Sequence, residues 1–540
     1  MNRVRVAQRA LPVLLSLVFA LLCATSLRRE SGTWDEYLVG IGLRQDLPDA
    51  RFHPPLSSWI HSVPFHWLEI PDALWQERDG PLRGQRIVAL RADDWMLDAA
   101  RLALLPMGLA VGWIAWAWGR RLYGAAGGLL AMALASFDPN LIAHARLITP
   151  DVTLSATALF ALYRIARLAE APSARRRLLA GVALGAMLLS KYTALLLLPI
   201  FAAVDLAARC ASSGRPSRAL FARAVADWSA LLALGALVLW AGYGFAFGPV
   251  ALTPSFELPL PAPRYVQGAL YQWQQSRLPH SFFLLGEISQ QGWWYFYLVV
   301  ALLKVPLGTL LLLALAVCAG RWLGIRWRAA ELYLVLPALL LLLYLSFLNT
   351  IHNGFRYLLP VWTPLLVFCG RLALPAARSR AFAWLLGAPV AWVAIASLAA
   401  WPDYLAYCNE LVGGARRGYL VFSDSNLDWG QDLPELAEWM RAHHVPRVQL
   451  AYFGTADPAH WGIDYVALPS PNSALPPTPP PGSAEALPRI VALSAYQYQG
   501  VAFPGENPYA RFHTLVPNDV LGGSILIFDL DHPISHSPSQ

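Results

Sequence analysis

The sequence predicts an α-helical polytopic membrane protein of about 11 transmembrane helices with a small extracytoplasmic α/β domain at its C-terminal end. Three observations carry that expectation. The 540-residue chain is 56% hydrophobic and only 14% charged, with a mean hydropathy of +0.43. So much apolar surface exceeds what one water-soluble core can hide, and lipid must solvate it. Its apolar residues fall into about eleven runs, and its arginines gather between alternate runs.

The runs lie near 10–27, 101–118, 124–137, 152–168, 178–190, 193–209, 225–247, 293–319, 331–348, 356–373 and 383–400. Several are shorter than the ~20 residues of a full span and extend into their flanks. Met1–Leu27 has the basic start and apolar middle of a signal peptide, but no small-x-small site precedes a hydrophilic segment, so it is expected to stay as an anchor. The segments on one side are the N-terminus, 119–123, 164–177, 209–223, 320–330 and 371–382. Together they hold 20 arginines and one acid, Glu170. The positive-inside rule places that side in the cytoplasm, the C-terminus outside, and the chain in the cell (inner) membrane. The net charge of +7 is thereby explained without a nucleic-acid partner.

The outer face then receives a first loop (28–98), a second loop (248–292) and the tail, which divides the chain into a membrane domain, 1–401, and an extracytoplasmic domain, 402–540. Leu56–Leu68 is amphipathic and suits an interfacial helix. In the tail, 418–423, 447–453, 488–495 and 524–530 have the pattern of strands and 432–443 that of a helix, with a proline-rich loop from Pro469 to Pro481. The five cysteines are scattered and suggest neither a disulfide framework nor a metal site.

Charged residues at the outer boundary carry the chemistry. Asp35 and Glu36 follow the first run within a few residues. Carboxylates at a membrane boundary suit a base that deprotonates a hydroxyl, although such a pair can also merely cap a loop helix. His53 follows, stiffened by Pro54 and Pro55. Arg146 lies on the outer side against the positive-inside trend, so it calls for an anionic partner, Asp151 or a lipid phosphate. Lys191 and Lys304 are the only lysines; the first is outer-facing and the second lies near the middle of its run. Arg356 stands at the mouth of the tenth run. Each cation could snorkel or pair structurally, but four together point to an anionic headgroup. In the tail, oxygen-bearing side chains between Asp424 and Glu435 follow the spacing of a calcium loop. Trp429, however, occupies the position that wants glycine, and a strand–turn–helix junction capped by acids fits better. No metal ligand or cofactor is assigned, and use of a divalent metal stays open.

Taken in order, these pieces resemble the GT-C glycosyltransferases of the protein O-mannosyltransferase type, with the aminoarabinose lipid A transferases as relatives. The resemblance rests on Asp35-Glu36, His53-Pro54-Pro55-Leu56, Arg146 to Asp151, Lys191-Tyr192, Lys304-Val305-Pro306-Leu307 and Phe355-Arg356-Tyr357-Leu358-Leu359-Pro360. The tail, with Tyr407 to Leu411, Asp424–Asp432 and Tyr452-Phe453-Gly454, is similar to a bacterial branch of phospholipid-carrier-dependent enzymes. Ser57-Ser58-Trp59 stands where eukaryotic members carry a lysine, and their MIR insert is missing, so a serine or threonine protein acceptor is not implied.

The resemblance implies a polyprenyl-phosphate sugar as donor and an acceptor hydroxyl of a protein, lipid or glycan outside the cytoplasm. It implies Asp35 as base, with Glu36 and His53 orienting it or the acceptor. The donor phosphate would sit among Arg146, Lys191, Lys304 or Arg356, with inversion at the anomeric carbon. A membrane transporter or lipid flippase is the rival; it would place its charges in broken helices at mid-bilayer.

Overall fold

The computed structural model describes residues 2–535 except 39–40, 45, 91–94, 254–255, 323–324, 377–378, 474–486 and 504. The second part of the expected proline-rich loop lies outside the described residues.

Among the described residues, eight helices are long and apolar enough to cross a membrane, or nine if the bent pair Phe296–Lys304 and Leu307–Cys318 is one span. Trp95–Ser136 is interrupted at Gly124, whose φ of 82° ends one helical segment and begins another. The 15-residue helix Ala174–Leu188 covers a further apolar run. All eleven runs are therefore helical. Three helices that start on the arginine-rich side are capped by serines: Ser173, Ser217 and Ser379 each accept an amide from the first turn.

Trp95–Ser136 forms the centre and packs against Asn2–Leu27, Asp151–Glu170 and Leu359–Cys369. Small residues let backbones approach where lipid offers no hydrophobic drive. A Cβ on Gly181 would fall 2.5 Å from the Leu234 Cβ, and one on Gly185 2.4 Å from the Val238 Cβ, so Ala174–Leu188 lies tightly on Arg218–Gly242.

At the end of the bundle away from the arginine-rich segments, the loops build a cap. Leu56–Leu68 forms the helix Pro55–His61 and the 3-10 turn Val63–Trp67, as its amphipathic pattern predicts. The amphipathic helix Pro263–Gln275 lies across the cap against Tyr192; a Cβ on Gly268 would come 1.8 Å from the Tyr192 hydroxyl.

The tail contains a five-stranded sheet in the order Tyr465–Ala467, Val448–Ala451, Ile490–Ser494, Ile525–Asp529, Asp519–Leu521. The first two neighbouring pairs are parallel and the others antiparallel. Helix Leu433–Ala442 buries Leu433, Leu436 and Met440 in the same apolar cluster as Val448, Leu450 and Ile527. One expected strand is corrected. Residues 415–420 form a 3-10 turn after Gly413 and Gly414, both at positive φ. The amides of Val421 and Phe422 both bond back to the Gly418 carbonyl, which curls the apolar run instead of extending it.

Candidate active site

The turn that carries Asp35 is clamped from the tail. Ser31 N–H donates to the Gln431 carbonyl (2.8 Å) and Trp34 N–H to the Trp429 carbonyl (3.0 Å). The Trp34 ring stacks on Phe453 at 5.5 Å, and Phe453 stacks on Tyr496 at 4.0 Å. These contacts present Asp35 at the wall of a cavity of about 670 Å³, with its carboxylate one-third exposed. Asp35, His53, Lys191 and Arg356 all line this cavity. Residues separated by more than 300 positions in sequence thus share one chamber. Leu195, Leu196, Tyr344, Leu345 and Ile351 give it an apolar wall, and Gln272 and Trp273 of Pro263–Gln275 roof it.

Glu36 has a different position from its neighbour. It is fully buried and accepts four hydrogen bonds: two from the Arg101 guanidinium (2.9 and 2.6 Å), one from Thr33 N–H and one from Ile148 N–H (each 2.9 Å). Burial alone would raise its pKa, but Arg101 and the two amides hold it below the usual carboxylate value. Arg101 also donates to the carbonyls of Leu27, Glu30 and Ser31. Through these four bonds the carboxylate ties the Asp35 turn to Arg101 and to the Ile148 backbone. His53, pushed down to about 3 by burial and then by the Lys191 charge, is a neutral imidazole at physiological pH.

The four expected cations separate into two pairs. Arg356 donates to the Asp35 carboxylate at 3.3 Å, and its guanidinium lies 4.6 Å over the Trp429 ring. Gly354 (φ 80°) sets the turn before it; the Asn426 carboxamide occupies the space of a Cβ there and accepts Phe355 N–H at 2.9 Å. Lys191 sits 2.6 Å from the Asp151 carboxylate and 4.9 Å over the Tyr357 ring.

Arg146 and Lys304 do not line this cavity. The protein partner of Arg146 is Glu30, at 2.5 Å, in place of Asp151, and both side chains are buried. Lys304, near the middle of its run, lies at the 110° bend between Phe296–Lys304 and Leu307–Cys318. Its ammonium donates to the carbonyls of Leu405 (2.7 Å) and Asn426 (2.6 Å), so it pins the tail to the bundle.

The calcium-loop pattern is used for other bonds. Asp428 accepts the amides of Gly430 and Tyr496, and Asp432 accepts from Ser524 and Gln431. Among the described residues, no group of three or more His, Cys, Asp or Glu is placed to hold a metal ion.

Sequence reasoning missed Arg101 and Glu30, and gave Asn426 and Tyr357, inside quoted segments, no role of their own. Arg101 had a signal: it is an arginine at the outer end of an apolar run, the same anomaly that singled out Arg146. Asn426 lay inside the tail segment already noted, with nothing local to show that it braces Arg356.

Comparison with known proteins follows the same line. Residues 88–226 match the family model described as dolichyl-phosphate-mannose-protein mannosyltransferase. No curated protein matches the chain. Similar solved structures include ArnT from Cupriavidus metallidurans bound to undecaprenyl phosphate (14% identity, 95% of this chain and 97% of that one, TM-score 0.47). The same protein in the apo state gives a TM-score of 0.49 at 14% identity and the same coverage. The oligosaccharyltransferase AglB from Archaeoglobus fulgidus, in complex with an inhibitory peptide and a dolichol-phosphate, gives 12% identity, 94% and 72% coverage and a TM-score of 0.46. The resemblance to membrane glycosyltransferases of the protein O-mannosyltransferase type, carried first by the motifs, is borne out by the family model over residues 88–226.

Proposed function

We propose that this chain transfers one sugar from a polyprenyl-phosphate carrier to an acceptor hydroxyl outside the cytoplasm. The observation that carries the reading is the shared cavity: a carboxylate, Asp35, and two cations, Arg356 and Lys191, face one chamber with an apolar wall. An amphiphilic donor needs that combination. Its prenyl chain lies along Leu195, Leu196 and Leu345, and its phosphate meets the cations.

In the reaction the acceptor oxygen loses its proton to Asp35 and attacks the anomeric carbon. The bond from that carbon to the phosphate oxygen breaks on the opposite face, its electron pair leaves with polyprenyl phosphate, and the configuration inverts. The leaving group gains charge as the bond breaks, so a fixed guanidinium beside it stabilises the transition state more than the ground state. Arg356 takes that role first and Lys191 second, with Asp151 holding Lys191. Glu36 positions the Asp35 turn through Arg101, and neutral His53 orients the acceptor. Arg146 and Lys304 hold the scaffold. On this reading the cavity end of the bundle and the domain 402–540 face outward from the cell membrane, and the arginine-rich end of the domain 1–401 faces the cytoplasm. No observation favours the transporter or flippase reading.

The test is direct. The purified full chain in lipid nanodiscs is supplied with polyprenyl-phosphate sugars and a cell-envelope extract, beside an Asp35→Asn control. Release of polyprenyl phosphate with label on an envelope acceptor is expected only for the unaltered chain. Equal turnover in both, or no consumption of any donor, overturns the proposal.

A further inference from the structure

The second loop begins with a β-hairpin, strands Phe247–Thr253 and Phe256–Pro261, that the transfer reaction does not use. It follows the helix Arg218–Gly242 within five residues. That helix turns most of its surface outward, with Val225, Leu232 and Leu237 exposed, as a lipid-facing span must. The apolar surface does not stop where the helix ends. Phe245, Phe247, Leu252, Phe256 and Leu258 are each between 39% and 63% exposed. From Phe245 to Ala262 the sequence holds one charged residue, Glu257. An isolated two-stranded hairpin is marginal in water, and four exposed large apolar side chains on one, with Phe245 just before it, would be a liability in any aqueous loop.

Beneath it the hairpin is tied to the cavity roof. Val250 is fully buried, Ala262 N–H donates to the Ala246 carbonyl at 2.9 Å, and the Trp240 indole donates to the same carbonyl at 2.8 Å. Tyr192, Ala262 and Tyr265 form one buried cluster joined by Trp240 and Tyr243. The hairpin, the roof helix Pro263–Gln275 and the Lys191-Tyr192 turn are therefore packed into one unit.

We propose that this hairpin is a lipid anchor: its exposed aromatic and aliphatic side chains insert into the bilayer interface at the cavity end of the bundle and hold the roof helix at the membrane surface. The occupant is lipid because these exposed apolar side chains follow directly on those of a lipid-exposed span. The exposed phenylalanines and leucines supply the area that interfacial insertion needs, and the near absence of charge lets them do so without dragging ions from water.

Nitroxide labelling tests this without reference to catalysis. In full-length protein carrying Cys210→Ser and Cys318→Ser, labels are placed through Leu252→Cys, Phe256→Cys or Leu258→Cys, with one copy per lipid nanodisc. Leu237→Cys serves as the bilayer control and His532→Cys as the aqueous control. The hairpin labels should collide with oxygen several-fold more than with a water-soluble nickel chelate, as at Leu237. Nickel accessibility equal to that at His532 overturns the proposal. Exclusion of both reagents also overturns it, since protein then covers the face. Three sites keep the result independent of any single misfolded variant.

Discussion

The Arg356 guanidinium stands 3.3 Å from the Asp35 carboxylate, so the expected base and one expected phosphate ligand meet at the wall of one cavity. A bound phosphate would draw on the same guanidinium and leave Asp35 free to take the acceptor proton. On the proposed reaction, donor phosphate and Asp35 would therefore compete for one guanidinium.

Replacing Asp35 with Asn removes the base and keeps the shape. Transfer should fall by about 10²–10⁴-fold, the usual contribution of a general base. The protein should remain folded and should still bind polyprenyl phosphate, measured by lipid co-purification. Turnover near that of the unaltered chain would remove Asp35 from the mechanism.

Glu36 should respond differently although it is the next residue. It and Arg101 form a buried, fully bonded pair, and removing one partner strands the other charge. Arg101→Met should cost about 3–5 kcal/mol of stability, read as a large drop in melting temperature in detergent. Glu36→Gln keeps part of the hydrogen bonding and should be milder. A variant at Glu36 that melts normally but has lost turnover would show that Glu36 acts in the chemistry after all.

Arg146 tests the scaffold role in the same way. Its partner is Glu30, so Arg146→Ala should destabilise the protein, and adding Glu30→Gln should recover part of the loss. Adding Asp151→Ala should recover none. A folded Arg146→Ala protein that had lost only carrier-lipid binding would return Arg146 to the phosphate site.

Buried His61 makes the fold sensitive to acid. Burial pushes its pKa from 6.5 down to about 4, so the folded state binds fewer protons than the unfolded state between those values. Its contribution to stability is full above pH 6.5 and falls by about 1.4 kcal/mol per unit below it, or about 2 kcal/mol by pH 5. Melting temperature should drop from pH 7 to pH 5, and His61→Phe should flatten the drop. An unchanged slope would show that His61 is solvated or already paired.

Most of the fold was legible because helix length, apolar runs and arginine placement are properties of local sequence. All eleven runs became helical, and Val448–Ala451, Ile490–Ser494 and Ile525–Asp529 stand where alternation put strands. The turn at 415–420 was not legible, because Gly413 and Gly414 redirect the chain whatever the apolar content of the next residues. For the site, residue types could be named but not partners. Arg146 and Arg356 carry the same anomaly in sequence, an arginine on the outer side. Only packing shows that one meets Glu30 in the interior and the other meets Asp35 in a cavity.

Arg356 therefore carries the most exposed prediction. A guanidinium can offer a phosphate two parallel N–H donors, and that of Arg356 lies 4.6 Å over the Trp429 ring. Lysine keeps the charge but not the fork. Arg356→Ala should lower kcat by about 10²–10³-fold, the loss seen when one fixed donor to developing negative charge is removed. Arg356→Lys should fall between that and the unaltered rate. Ground-state affinity for the donor should weaken less than kcat, because the leaving phosphate gains charge only as the bond breaks. Lys191 provides the comparison. Lys191→Met alone strands the buried Asp151 carboxylate, so its effect mixes folding with chemistry. The double change Lys191→Met with Asp151→Asn should restore the melting temperature yet leave transfer slow. Single-turnover kinetics with a polyprenyl-phosphate sugar separates the cases. If Arg356→Ala raises only KM and leaves kcat intact, Arg356 anchors the donor without stabilising the transition state; if the Lys191–Asp151 double variant regains full turnover, that pair is structural and Arg356 alone carries the phosphate.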